Sequence, residues 1–339
     1  MAEAVDVSII TSAHWDGDPR LNRHIRYLQE AGVNTQLIGL ASIHPSRLRS
    51  VFAALSAVWR AGSRVTILPD PELFVLGSLI ARARGSKAVI DIHEDYGLVS
   101  ASRAWIPNWA RPLVRFTAIL NDRLGRMVAN QTIVAAEELT APRGKLVANI
   151  PDPSDFQTET APLQQPRVVY VGDVTEPRGA LEMARLSALV PGLEVMLIGR
   201  VTENLKARMS SLAGAGSELR IVGQVPHDQA WAFARGSLAG LSLLGPFPAY
   251  RWAVATKLWE YCASGIPPLV TDLPGQRKFV SQIDPALCCS DLNEVASVLT
   301  RLRDDPTWRT GLSIRARDLA IRAWDEARPD KALYEAVVP

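Results

Sequence analysis

Lys257 and Glu260 stand three residues apart in "TKLWEYCASG", close to the start of a segment that runs into Gly265, a Pro-Pro pair and an apolar stretch. That spacing puts both side chains on one face of a short helix stopped by glycine and followed by a buried strand. A helix start collects anions, and a carboxylate one turn in can accept hydrogen bonds from neighbouring hydroxyls. Upstream, "YVGDVTEPRGAL" closes a strand-like run at Gly172 and opens a helix at Arg178-Gly179. A guanidinium in that place can fork onto phosphate oxygens. Two further runs, "LIGR" and "IVGQVP", end at Gly199 (followed by Arg200) and Gly223. Each feature alone has a plain reading, a turn glycine or an exposed Lys–Glu pair worth little. Three successive strands closing on glycine suggest backbone kept bare along one sheet edge, where a ligand can approach closely.

Two stretches of the first half also carry chemistry. In "AVIDIHEDYGL" an apolar strand is interrupted by Asp91 and runs into His93, Glu94, Asp95 and Tyr96. Such groups at a strand end are costly unless they face solvent or a ligand. A divalent metal is the weaker alternative, because the spacing matches no familiar ligand pattern. In "TSAHWDGDPRLNRHI" the candidates are His14, Asp16, Asp18 and Arg20, with Asp18 before Pro19 also readable as an ordinary helix N-cap.

Short apolar runs alternate with amphipathic segments along the whole chain, which predicts α/β architecture with parallel sheets covered on both faces. Six strand-like runs fall in residues 1–150: "VDVSIITSA", "NTQLIGL", "VTILP", "AVIDIH", "TIVAA" and "KLVANI". A proline-rich break over 151–166, "PDPSDFQTETAPLQQP", reads as a linker. Six more follow in 167–315: "RVVYVG", "EVMLIG", "ELRIVG", "LAGLSLL", "PPLVTD" and "ALCCS". Residues 316–339 form a helical tail that could cross back to the first domain. A length of 339 residues fits two such domains, and ligands of open parallel sheets gather at the carboxyl ends of the strands.

Bulk properties narrow the function. A formal charge of +2 is too small to argue for nucleic-acid binding. Three cysteines, two of them adjacent, make no disulfide framework or metal spacing, so a reducing compartment is expected. With no signal-peptide pattern and no apolar run near bilayer length, the expected location is cytoplasmic. The segment 102–131 mixes Trp105 and Trp109 with five arginines among apolar residues. Packing of this helix within the fold is the preferred reading, and contact with an anionic membrane the alternative.

The order "YVG", "RG" opening a helix, "LIG", "VGQVP", "GLSLL" and "TKLWEYCASGIPPLVTD" resembles the C-terminal domain of GT-B glycosyltransferases, in particular retaining enzymes of glycosyltransferase family 4. The resemblance implies two Rossmann-like domains facing each other across a cleft, and transfer of a sugar from a UDP- or GDP-type nucleotide sugar to a small-molecule, glycan or lipid-linked acceptor. It implies that Glu260 grips the ribose hydroxyls and Arg178 the diphosphate. Lys257 and the helix start from Ala255 through Thr256 would complete the donor site, beside Gly172, Gly199, Arg200 and Gly223. "DPR" and "D-x-H-E" are similar to acceptor-side segments of the family, which implies His93 near the transferred sugar, Glu94 and Asp95 as neighbouring contacts, and His14, Asp16, Asp18 and Arg20 facing the acceptor. His93, Arg178 and Lys257 would be the catalytic groups, with no metal or other cofactor. Trp252 stands where many members carry an earlier glutamate, and Asp173 where a basic residue often follows the glycine. An inert nucleotide-sugar-binding subunit and a GT-B epimerase are the alternative readings.

Overall fold

The computed structural model describes residues 5–13, 18–40, 46–101, 106–140, 143–158, 165–213 and 218–338. The chain divides into two compact units, residues 1–149 together with 327–339, and residues 150–326. Each is a six-stranded parallel sheet dressed with helices.

In the first unit β1 (Val7–Thr11), α1 (Pro19–Glu30), β2 (Thr35–Gly39), α2 (Arg47–Arg60), β3 (Val65–Leu68), α3 (Leu76–Ala83) and β4 (Lys87–Ile92) alternate strictly. They are followed by α4 (Tyr96–Ala101), α5 (Arg111–Val128), β5 (Gln131–Val134) and β6 (Lys145–Leu146). The order β2-β1-β3-β4-β5-β6 reverses direction between β1 and β3. Right-handed crossovers then put α2, α3 and α5 on one face of the sheet. The residues that α2 and α3 turn inward are small or branched: Ala54, Ala57 and Val58 on α2, Gly77 and Ala81 on α3. They close over Ile10, Leu68 and Ile90 of the strands. The strands are apolar on both faces, as a doubly covered parallel sheet requires.

The second unit runs β7 (Arg167–Val171), α6 (Ala180–Leu189), β8 (Glu194–Ile198), α7 (Glu203–Ala213), β9 (Leu219–Gly223), α8 (His227–Ala234) and β10 (Ala239–Ser242). It continues through α9 (Thr256–Ala263), β11 (Pro268–Thr271), α10 (Pro274–Val280), β12 (Cys288–Cys289), α11 (Leu292–Asp304) and α12 (Pro306–Ala327). The order β12-β11-β10-β7-β8-β9 reverses between β10 and β7. A final helix, α13 (Pro329–Val337), belongs to the first unit, where it packs on α1, β5 and β6. Lys87 Nζ donates to the carbonyls of Ala336 (2.9 Å) and Val337 (3.3 Å), which satisfies orphan acceptors at the end of that helix.

All twelve strand-like runs of the sequence are strands. A short 3-10 turn at Pro71–Leu73 precedes α3. The buried Asp70 carboxylate accepts from Thr11 Oγ1 (2.8 Å), Ser12 N (2.6 Å) and Ala13 N (3.1 Å), tying the end of β3 to the loop after β1.

Candidate active site

The reversal of strand order in the second unit leaves a crevice beyond the carboxyl ends of β7 and β10, the place where α/β sheets bind ligands. Gly172, Gly199 and Gly223 lie side by side along that edge, with Gly172 N bonded to Ile198 O (2.8 Å) and Gly199 N to Gly223 O (2.9 Å). Gly172 holds φ 130°, a conformation that side-chain-bearing residues rarely adopt, and a Cβ there would sit 2.9 Å from Lys257 Nζ. The bare strand ends thus make space for a cation.

That cation is held unusually. The Lys257 Nζ is buried and has no hydrogen-bond partner among the described residues. It lies 3.7 Å from the centre of the Tyr170 ring, a cation–π contact. Burial, and then the neighbouring Arg178 charge, hold its pKa well below the ordinary lysine value, against a smaller opposing pull from Glu260 and Asp173. A desolvated ammonium with unused donors is costly by itself, and an anion placed against it would offset that cost.

Arg178 ends a 3-10 turn at Glu176–Arg178, and although burial opposes this, the nearby phenols of Tyr170 and Tyr250 help to hold its pKa above the ordinary arginine value. The Tyr170 hydroxyl donates to Asp173 O at 2.8 Å, and burial pushes its pKa up to about 12, so it stays neutral beneath Lys257. Asp173 lies 3.9 Å from Arg178 and is forked by Arg200 at 3.0 and 3.1 Å. Arg200 is exposed and spent on that pair, whereas Arg178 and Lys257 face the crevice together.

Helix α9 opens here. Ala255 is its N-cap residue, no side chain caps it, and Thr256 and Lys257 are its first two residues, so the positive end of the helix dipole adds to the two cations. One turn on, Glu260 is 6% exposed. Its Oε1 stands 3.0 Å from His227 Nε2, at the start of α8. Trp231 Nε1 is also 3.0 Å from that nitrogen. Tyr261, buried next to Glu260, accepts from Val171 N at 3.0 Å and locks α9 to β7. Trp252 is exposed, and its backbone packs against Gly275 at the start of α10.

In the first unit, His14 and Asp16 lie outside the described residues. Asp18 is the N-cap of α1, accepting from Arg20 N (2.9 Å) and Leu21 N (3.1 Å). Arg20 turns inward: it forks onto Asp91 (3.0 and 2.7 Å) and reaches Val147 O at 3.4 Å. Asp91, expected to face solvent or a ligand, faces neither; it is fully buried against Arg20 and His24. His93 follows β4, half-buried and edge-on to Tyr96, with Glu94 and Asp95 exposed beside it. Asp95 Oδ1 accepts from Leu98 N at 3.0 Å, as a cap of α4. Among the described residues no three His, Cys, Asp or Glu side chains converge as metal ligands would.

Sequence reasoning missed Tyr170, Tyr250 and His227. The aromatic loop "GPFPAY" and the histidine after "GQVP" were the available signals, but only their neighbours in space give them a role.

Residues 181–328 match the family model described as glycosyl transferase-like. The solved structure of sucrose-phosphate synthase from Thermosynechococcus elongatus superposes with a TM-score of 0.73 at 17% identity, covering 97% of this chain and 98% of that one. HepE of Anabaena, in complex with UDP and glucose, gives 0.68 at 12% identity over 98% of each chain. T4 phage BGT in complex with UDP-glucose gives 0.58 at 11% identity, over 98% of this chain and 100% of that one. The fold is the two-domain α/β GT-B fold. No curated protein sequence matches the chain.

Proposed function

We propose that the protein is a glycosyltransferase that takes its sugar from a nucleoside diphosphate donor. One observation carries the reading: Lys257 Nζ, buried and without a hydrogen-bond partner among the described residues, shares the mouth of an uncapped helix with Arg178. A diphosphate supplies the charge and the acceptor oxygens that this arrangement lacks. Glu260, one turn further along α9, is placed to take the vicinal hydroxyls of the attached ribose. The matched glycosyl transferase-like segment contains α9, and the HepE and BGT structures are complexes with UDP or UDP-glucose, which makes a uridine nucleotide the first donor to try.

In this reading Lys257, Arg178 and the helix start stabilise charge as it grows on the leaving diphosphate, which is electrostatic catalysis by groups already in place. The diphosphate accepts the proton of the attacking hydroxyl, so no protein nucleophile is needed and the anomeric configuration is retained, as the resemblance to family 4 implies. These cations carry the neutralising role, and the transfer proceeds without a metal. The resemblance to family 4 implies His93 as the group facing the transferred sugar.

The test is calorimetric titration with UDP, GDP, ADP and TDP, followed by donor hydrolysis without acceptor, with and without EDTA. Binding of one nucleoside diphosphate, weakened strongly in Lys257→Ala, and slow EDTA-insensitive hydrolysis of its sugar conjugate are expected. If no nucleoside diphosphate binds, the reading fails. Tight binding without turnover of any donor would instead make the protein an inert binding subunit.

A further inference from the structure

The outer surface of the helix layer α2, α3 and α5 is apolar where a doubly wound domain ordinarily shows charge. On α2 the exposed residues are Leu48, Phe52 and Trp59, and on α3 Leu76 and Leu79. On α5 they are Leu113, Phe116, Leu120, Leu124 and Met127, with Trp109 just before the helix; Phe52 and Met127 are each 71% exposed. At 3.6 residues per turn the five α5 positions fall within roughly 80° of arc, a single stripe. The preferred reading of this helix, packing of its apolar face inside the fold, is therefore wrong for the stripe. The side that meets the sheet layer is Gly125, against Phe74, and the buried Arg126.

The same three helices and the residue after α3 hold nine arginines and a single acid, Asp122, in a chain whose net charge is only +2. Arg126 is paired with Asp122 (2.9 Å) and Arg47 with Glu72 (2.6 Å), while Arg84 lies over the Trp59 ring. Arg49, Arg60 and Arg123 are exposed beside the stripes. Contiguous apolar side chains edged by arginine and tryptophan match the boundary between acyl chains and anionic headgroups. A second copy of the chain is a poor fit, because a two-fold contact through this face would set arginines against arginines. Among the described residues no helix is long and apolar enough to cross a membrane, so the contact is one of surface docking.

We infer that the outer face of α2, α3 and α5 docks on an anionic lipid surface, with Phe116 and Met127 among the side chains that enter the acyl boundary and Arg60 and Arg123 among those that meet headgroups.

Cosedimentation with vesicles tests this, independently of any nucleotide. The protein should pellet with phosphatidylcholine vesicles containing phosphatidylglycerol, be released by high salt, and stay in solution with phosphatidylcholine alone. The pairs Arg60→Glu/Arg123→Glu and Phe116→Asp/Met127→Asp should each lower partitioning by roughly tenfold or more. Both pairs lie on the surface, and unchanged circular-dichroism melting curves would confirm that the variants fold; Arg49→Glu/Phe52→Ser on α2 gives a second, separate readout. Absence of binding to the anionic vesicles overturns the inference, as does binding that none of these variants alters. Self-association in sedimentation velocity that the variants abolish, without vesicle binding, would assign the face to a second copy instead.

Discussion

Glu260 Oε1 approaches the same imidazole nitrogen of His227, 3.0 Å away, that the Trp231 indole N–H approaches at 3.0 Å from another direction. An indole N–H only donates and an ionised carboxylate only accepts, so His227 Nε2 can satisfy one of them at a time. The carboxylate at the site is thus held by a partner it can release to an incoming hydroxyl pair, with Trp231 ready to take the freed nitrogen. Glu260→Ala should weaken UDP binding by roughly ten- to a hundredfold, the worth of hydrogen bonds to a charged group. The same variant should leave the affinity for 2′,3′-dideoxy-UDP unchanged. Calorimetry with the two nucleotides separates a ribose contact from a general loss of the site. His227→Ala, which removes only the positioning partner, should fall between wild type and Glu260→Ala.

Lys257 predicts opposite effects on stability and on binding. In the free protein its depressed pKa means that the unfolded chain holds a proton the native state resists, so stability rises with pH from the lowered native value up to the ordinary lysine value near 10.4. Lys257→Met removes that penalty at nearly constant volume. It should raise Tm by about 3 °C or more while lowering nucleoside diphosphate affinity at least tenfold. In the wild type a bound diphosphate favours the charged ammonium and so raises that lowered pKa. Nucleotide affinity should fall as pH rises from the lowered value toward the ordinary lysine value, and Lys257→Met should lose that dependence.

The donor-side candidates were legible in the sequence because their chemistry is local. Lys257 and Glu260 share one helical turn, and the glycines at 172, 199 and 223 each close an apolar run. The strands were equally plain, since parallel strands covered on both faces read as continuous apolar runs. Two things needed the third dimension. Arg20 and Asp91 look like cleft groups when read singly, and only the crossing of α1 against β4 makes them partners. The stripe on α5 has the period of a core-facing helix, and periodicity cannot say which side faces the sheet. Gly125 decides it, because a Cβ there would lie 2.7 Å from that of Phe74, so the backbone itself approaches the layer beneath and the large residues point away.

Asp173 should act as a brake on donor binding. It stands at the mouth of the site, forked by Arg200 and 3.9 Å from Arg178, where its charge opposes an incoming diphosphate. The pair with Arg200 is exposed and worth little to the fold. Asp173→Ala should therefore tighten nucleoside diphosphate binding by about two- to fivefold and steepen its salt dependence, with Tm nearly unchanged. Weaker binding in this variant would mean that Asp173 instead orients Arg178.

Acid sensitivity of the first unit should trace to His24. Burial first, and then the Arg20 charge, lower its pKa to about 3, although Asp91 lies 3.6 Å away and pulls the other way. The unfolded chain takes up a proton at this histidine as pH falls below about 6.5, while the native state stays neutral, so each pH unit down to 3 costs about 1.4 kcal/mol. Asp91 adds to the loss further down. Burial would raise its pKa, but the Arg20 fork outweighs that and brings it to about 2, so the stability it lends is present above 3.8 and disappears as pH falls through 2. Urea unfolding of the wild type should therefore lose up to about 3 kcal/mol between pH 6.5 and 4.5 from this histidine alone. His24→Gln, which cannot titrate, should flatten the curve in that window and leave the steeper fall below pH 4 in place. A variant whose stability falls as steeply as the wild type between pH 6.5 and 4.5 would show that the proton is taken up elsewhere.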